Sequence, residues 1–390
     1  MLRSKSNVLF FCIFNCICFI FILATCYFID PFCIFHKPLF RKPKFPEDNV
    51  YLNLGLIRNY LSNDYDTLLV SASYLWEMNA DDISKALRSK KTLKLCLSSI
   101  FPYESELTIN KACETGNVKN IVLQVDTQMW TWYSPYSFHP SRSFPIPLYQ
   151  NPLKILQFPY IFDNLKTSIL VCSSYLLNKN NYYFLGRPYP WRLFTNLNQL
   201  YNSWTMPEIA VTRYNNFQKR VNQLNPSLLN KFSIIKTGQQ FPSFSAIDKH
   251  LVPLLKRYPN INFYIIVPPF SKNYYHNFYN KNSRNFEEII GFFKQLVECC
   301  STFRNVQLYG FDDCYFTLNL RNYHDLEHAS PEISRFMLYS IFNKKHQLTT
   351  QNLDTYLKNF IEGLNFFITV DQLNNHMDTL EELIKQDNNI

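Results

Sequence analysis

Two short segments far apart in the chain carry residue types that could perform acyl-transfer chemistry together. The first, residues 64–73 (DYDTLLVSAS), is an apolar run that reads as a buried strand and ends in serines, leaving the Ser73 hydroxyl where the strand stops. A helix is expected just beyond, with Asn79 as its N-cap and Asp81 and Asp82 in its first turn. A serine between a strand end and a helix start lies near backbone N–H groups able to stabilise an oxyanion, which suits a nucleophile. Taken alone, such a serine is more often a turn or capping residue.

The second segment, residues 322–332 (NYHDLEHASPE), leads into another expected helix, with Ser330 as N-cap, Pro331 at the first helical position and Glu332 favouring the dipole. Asp325 and His328 form a D-x-x-H spacing. It lets the carboxylate bend back and hold one imidazole nitrogen protonated while the other accepts a serine proton. His324 and His328, four apart, also mimic a pair of metal ligands, and Glu327 is a further carboxylate. A metal would want a third strong ligand, and none is near in sequence.

Four apolar runs read as the strands that must position these groups: residues 67–70, 120–125, 262–267 and 306–309. Segments with helical spacing lie between them, including residues 82–88, 244–257 and 286–298, and residues 350–386 close the chain with helices. The alternation indicates an α/β fold with a mainly parallel sheet. Residues 127–240 are rich in Tyr, Trp, Phe, Pro and Asn without clear periodicity and read as a large insertion. Leaving the strand that ends at Val125, it would overhang the carboxyl ends of the strands as a lid or specificity wall. Trp130, Trp132 and Tyr133 could stack on sugar rings there, although core packing is the commoner use of each.

Residues 8–29 form a run of about 22 positions with Asn15 the only strongly polar one, long enough to cross a hydrocarbon core. A cleaved signal peptide fits less well, since no A-x-A site follows. Residues 1–7 precede the span, and residues 30–50, with repeated prolines and mixed charge, read as an extended stalk. Lys37, Arg41, Lys42 and Lys44 outnumber Arg3 and Lys5, so a positive-inside count leaves the orientation open.

The composition narrows the function classes. With 390 residues, 47% hydrophobic and 18% charged, the chain can bury a large core. Only 7 glycines occur, against 35 Phe and 26 Tyr, and neither G-x-x-x-x-G-K-[ST] nor G-x-G-x-x-G is present, which removes the commonest nucleotide-binding fingerprints. The net charge of +9 is scattered rather than gathered into a basic arm, so nucleic acid is not an expected partner. The 11 cysteines have no metal-site spacing, and six of them, outside the span region, are free to be thiols or disulfides.

An early strand-end serine with a late D-x-x-H before a large helix is the ordering of the SGNH hydrolase superfamily. The chain resembles its membrane-anchored bacterial branch, related in fold to the D-alanyl-lipoteichoic acid transfer protein. The resemblance is carried by the apolar anchor, Asp30-Pro-Phe32, YDTLLVSAS at 65–73, FYIIVPPFS at 263–271 and NYHDLEHASPEI at 322–333. It implies a three-layer flavodoxin-like domain outside the cytoplasmic membrane, with Ser73 as nucleophile, His328 as base and Asp325 as its orienting carboxylate. The family's glycine two before the nucleophile is Ser71 here, the glycine of its next block is replaced by Ser98 or Ser99, and the asparagine of its third block has Asp126 as nearest counterpart. Ser99 and Asp126 are therefore the expected oxyanion or substrate positions. The implied partners are the membrane, an envelope glycan or acyl donor, and envelope-assembly proteins; no cofactor and no metal is implied.

Overall fold

The computed structural model describes residues 2–37, 39, 50–61, 64–131, 144–150, 158–176, 244–272, 274–275, 283–319, 322–323, 327–365 and 378–388. Helix α1 (Leu2–Ile29) contains Phe10–Ile29, a stretch long and apolar enough to cross a membrane and almost wholly exposed. Phe10, Phe14, Ile17, Ile20 and Phe21 point outward around it. Such an all-round apolar surface fits lipid rather than a protein core. Two polar side chains within it are satisfied by the helix's own backbone: Asn15 Nδ2 donates to the Phe11 carbonyl at 2.7 Å and Thr25 Oγ1 to that of Phe21 at 2.9 Å.

The stalk expected over residues 30–50 opens as a compact turn. The Asp30 carboxylate accepts from the backbone N–H groups of Ile34, Phe35 and His36 at 2.8–3.0 Å. Phe32, fully buried, packs against Tyr51 of helix α2 (Val50–Tyr60). Gly55 is required there, because a Cβ would run into the Phe32 carbonyl.

The body is built on β1 (Thr67–Ser71), α3 (Ala80–Ala86), β2 (Thr92–Cys96), α4 (Pro102–Cys113), β3 (Asn120–Gln124), α5 (Ile146–Gln150), α6 (Phe158–Leu176), α7 (Val252–Arg257), β4 (Asn262–Val267), α8 (Ser283–Ser301), β5 (Val306–Gly310), α9 (Pro331–Asn343), α10 (Leu353–Asn365) and α11 (Leu380–Asn388). The five strands among the described residues are all parallel, in the order β2-β1-β3-β4-β5. That is the order of doubly wound, flavodoxin-like sheets. β2 and α4 are not among the elements expected from the sequence. The helix expected over residues 244–257 contains a π-helical stretch, Ile247–Leu251, just before Pro253, which has no N–H to continue the α register.

Alternate strand residues feed two separate cores. Leu68, Val70, Leu95, Leu123, Ile265 and Leu308 join one cluster with residues of α2, α4, α7, α8 and α10. Leu69, Val122, Ile266 and Tyr309 join the other with residues of α3, α9 and α11. Burial on both faces explains why the strands read as continuous apolar runs, and the result is three layers. At the amino ends, Asn262 Nδ2 donates to Asn120 Oδ1 at 3.0 Å and Asn120 Nδ2 to Thr67 Oγ1 at 3.2 Å, pinning the register of β1, β3 and β4.

Within the expected insertion, α5 and α6 are helical and α6 packs along α1. Residues 132–143, 151–157 and 177–240 lie outside the described residues, and with them Trp132 and Tyr133. Trp130 is buried in the first core. None of the cysteines is in a disulfide.

Candidate active site

Ser73 lies two residues beyond the last residue of β1, after Ala72 in extended conformation, and opens the 3-10 turn Ser73–Leu75. The first N–H groups of such a turn have no partner within the turn itself. Strand order reverses between β1 and β3, so Ser73 stands at the topological switch point, outside the carboxyl ends of the strands, where open α/β sheets form their binding crevice. Asn79 caps α3 as its sequence implies, accepting from Asp81 N at 2.8 Å.

His328 reaches the same crevice from the other end of the chain. Its segment is closed at the neck by an antiparallel bridge between Tyr323 and Ala329 and by a hydrogen bond from Ser330 N to the Asn322 carbonyl at 2.8 Å. Ser330 then caps α9, its hydroxyl accepting from Ile333 N at 3.3 Å. The outcome is a separation of 2.8 Å between Ser73 Oγ and His328 Nε2, across 255 positions of sequence, with both side chains half-buried. A serine–imidazole hydrogen bond at the mouth of a crevice is the arrangement in which a base can take a nucleophile's proton. Asp325 and His324 lie outside the described residues.

Three side chains that sequence reasoning did not single out complete the surroundings. The Tyr74 ring lies 5.0 Å from the His328 ring, and its hydroxyl is 3.0 Å from Glu327 Oε2 and 3.1 Å from Gln128 Oε1. Gln128 Nε2 in turn donates to the Tyr274 hydroxyl at 2.6 Å. Burial, and next the Glu327 charge, hold the Tyr74 phenol well above its ordinary range, so it remains a proton donor. The available signal was positional: Gln128 follows a strand end and Tyr74 follows the serine.

Asp126 and Ser99 are placed differently from one another. The buried Asp126 carboxylate accepts from Gln128 N, Met129 N and Gln124 Nε2 at 2.8–2.9 Å. It holds the turn after β3; burial pushes its carboxyl pKa up, and these three donated hydrogen bonds pull the other way. Ser99 sits in the turn after β2, beside β1 through a hydrogen bond from Leu97 N to the Ser71 carbonyl at 3.1 Å, and has φ of +48°. The left-handed conformation that favours glycine is therefore kept here with a serine. Ser71 is fully buried, its hydroxyl donating to Cys96 Sγ at 3.1 Å.

Side chains that could hold a metal converge elsewhere, beyond β5, where Asp313, Cys314 and His346 each offer a ligand atom within 4.8 Å of the others. Neither the spacing of the cysteines nor the His324/His328 pair points to them. Comparison with protein-family models finds no match for this chain. Comparison with curated proteins finds no match either.

Proposed function

We propose that the chain is a membrane-anchored serine esterase or acyltransferase of the SGNH type, acting on an acylated cell-envelope glycan or lipid-linked substrate. The observation that carries this reading is the 2.8 Å contact between Ser73 Oγ and His328 Nε2 at the switch point of a parallel sheet. His328 Nε2 accepts the Ser73 proton as Oγ attacks an ester carbonyl. The tetrahedral oxyanion is met by backbone N–H groups at the start of the Ser73 turn, and collapse expels the alcohol, which takes its proton from His328. Water or a second hydroxyl then resolves the acyl-serine. Asp325, three residues before the base, orients the imidazole. The apolar helix α1 supports the tether, and the resemblance to envelope enzymes supports a domain facing the periplasm or cell exterior.

A second reading is a non-catalytic member of the same fold that serves as a partner in envelope polysaccharide assembly. Ser71 and Ser99 favour it, since they put side chains where the family uses glycine. Treatment of the full-length chain in detergent with a fluorophosphonate probe separates the two. Labelling of wild type that disappears in Ser73→Ala and falls at least about 100-fold in His328→Ala and Asp325→Ala supports the enzyme. A folded wild-type chain that takes no label overturns it in favour of the partner.

A further inference from the structure

Three ligand types meet where the chain leaves β5. Cys314 Sγ lies 3.6 Å from His346 Nδ1 and 3.8 Å from Asp313 Oδ1. Zinc holds thiolate sulfur at about 2.3 Å, imidazole nitrogen at about 2.0–2.1 Å and carboxylate oxygen at about 2.0–2.2 Å, so ligand pairs including the sulfur on one tetrahedral ion stand about 3.6 Å apart. The two observed sulfur separations are close to that spacing.

The histidine is also prepared for the role. His346 Nε2 lies 2.8 Å from Asp387 Oδ1, and Lys345 Nζ donates to the other carboxylate oxygen at 2.8 Å. A proton held on Nε2 by this carboxylate leaves the Nδ1 lone pair directed at the Cys314 side, the arrangement by which outer carboxylates orient metal-binding imidazoles. The backbone is fixed as well. His346 has φ of +56°, its carbonyl accepts from Gly310 N at 3.2 Å, and Leu348 N donates to the Leu308 carbonyl at 2.7 Å. The histidine is thereby stitched to the end of the strand whose continuation carries Asp313 and Cys314.

We propose that Asp313, Cys314 and His346 bind one zinc-type divalent metal ion, with Asp387 orienting His346 and the fourth ligand position opening on an adjoining cavity of about 270 Å³. Tyr315, Phe316, Phe336 and Leu383 line that cavity. The mixed sulfur, nitrogen and oxygen set suits zinc over magnesium or calcium, which take oxygen ligands. The same residues could instead be read as a Cys–His–Asp nucleophile. Against that stand Asp313 and Asp387: two carboxylates near a buried sulfur oppose a free thiolate, whereas a dication is favoured by both. Binding releases the Cys314 thiol proton to solvent.

The proposal does not rest on the serine site and is tested separately from it. The full-length chain in detergent, stripped with a chelator, is titrated with Co²⁺ and then Zn²⁺. The expected result is one Co²⁺ per chain, with the intense visible bands of a tetrahedral ion and a near-ultraviolet sulfur-to-cobalt band, both lost on adding Zn²⁺. Cys314→Ser abolishes the near-ultraviolet band, and His346→Gln and Asp387→Asn weaken binding at least about 10-fold. Ser73→Ala and Cys299→Ser leave the spectrum unchanged. In the wild-type chain Zn²⁺ slows alkylation of Cys314 by iodoacetamide at least about 10-fold, a readout that needs no variant to fold. A weak octahedral cobalt spectrum, a sulfur band that survives in Cys314→Ser, or alkylation indifferent to Zn²⁺ overturns the proposal.

Discussion

Replacing Tyr74 with phenylalanine removes one oxygen from the site and little else, which makes it a sharp probe of how His328 is held. The hydroxyl stands 3.0 Å from Glu327 Oε2 and 3.1 Å from Gln128 Oε1, but it has one proton, so only one of these contacts can be a bond it donates at a time. The carboxylate is the stronger acceptor, and a hydrogen bond to a charged group is worth about 1.5–3 kcal/mol. The ring stays, so no large cavity opens, and the contact with Phe270 at 5.0 Å is kept. Tyr74→Phe should therefore cost about 2 kcal/mol, lowering the thermal midpoint by roughly 2–4 °C for a body of this size. Glu327 immediately precedes His328, so releasing it also lets the imidazole drift from Ser73 Oγ. Fluorophosphonate labelling is expected to slow about 10-fold, a loss of about 1.4 kcal/mol in the barrier. In a double-mutant cycle with Glu327→Gln, the two losses should fail to add by about 1 kcal/mol or more. A folded Tyr74→Phe chain with unchanged midpoint and labelling rate would refute the claim that this hydroxyl positions the base.

Three further outcomes follow from other parts of the molecule. Burial lowers the Lys272 ammonium from its ordinary 10.5 to about 8, so between these values the unfolded chain binds more protons and stability rises with pH, by on the order of 3 kcal/mol over the full interval. Denaturation of wild type and Lys272→Met across that window should show the rise in wild type only, and parallel curves would count against it. In Gly310→Ala the new Cβ would lie 2.5 Å from Leu348 Cδ1 and 2.9 Å from the Tyr356 hydroxyl; the expected cost is about 1–3 kcal/mol by thermal melt, with weaker Co²⁺ binding because the His346 segment must move. Deleting residues 1–29 should shift the chain from the membrane pellet to the supernatant on fractionation, and a truncated chain that still pellets without aggregating would deny α1 its role as the anchor.

Four of the five strands among the described residues were legible because each is largely buried and reads as a mainly apolar run, broken in β5 only by the uncharged Gln307. β2 was not, because Lys94 interrupts TLKLC. Its ammonium is accepted by the Trp76 carbonyl at 2.6 Å, a partner 18 residues away that no local pattern reveals. α4 escaped for a related reason: its buried face includes Glu104, Ser105 and Thr108, and Glu104 turns back to accept from Phe101 N at 2.9 Å. Ser73 and His328 were visible because each adjoins the end of a regular element, where a cap or strand end marks the position. Gln128, Tyr274 and the Cys314–His346 pair were hidden because their chemistry depends on neighbours brought in by the sheet order rather than by spacing. The bridge between Tyr309 and Gln347, which brings His346 alongside the end of β5, has no signature in either segment alone.

The two halves of the serine site are held by different physics. Ser73 is placed by the central strand β1 and the 3-10 turn that follows it. His328 sits in the connection between β5 and α9, and connections of that kind are held in place through anchors. One anchor is the buried Asp312, whose carboxylate accepts from the Tyr275 hydroxyl at 2.5 Å and the Tyr356 hydroxyl at 3.1 Å, while Lys272 Nζ binds its carbonyl and that of Phe360. Another is Asn322, which donates to Asp378 Oδ2 at 2.7 Å and accepts from Asp378 N at 2.8 Å. The proposed metal ligands Cys314 and His346 would be a third. Each of these three reaches into the chain after residue 344, so the carboxyl-terminal segments, which the sequence presents as covering helices, help fix the root of the segment that carries His328, beside the Tyr74–Glu327 contact nearer the imidazole. A disturbance there should move the imidazole while leaving the serine in place.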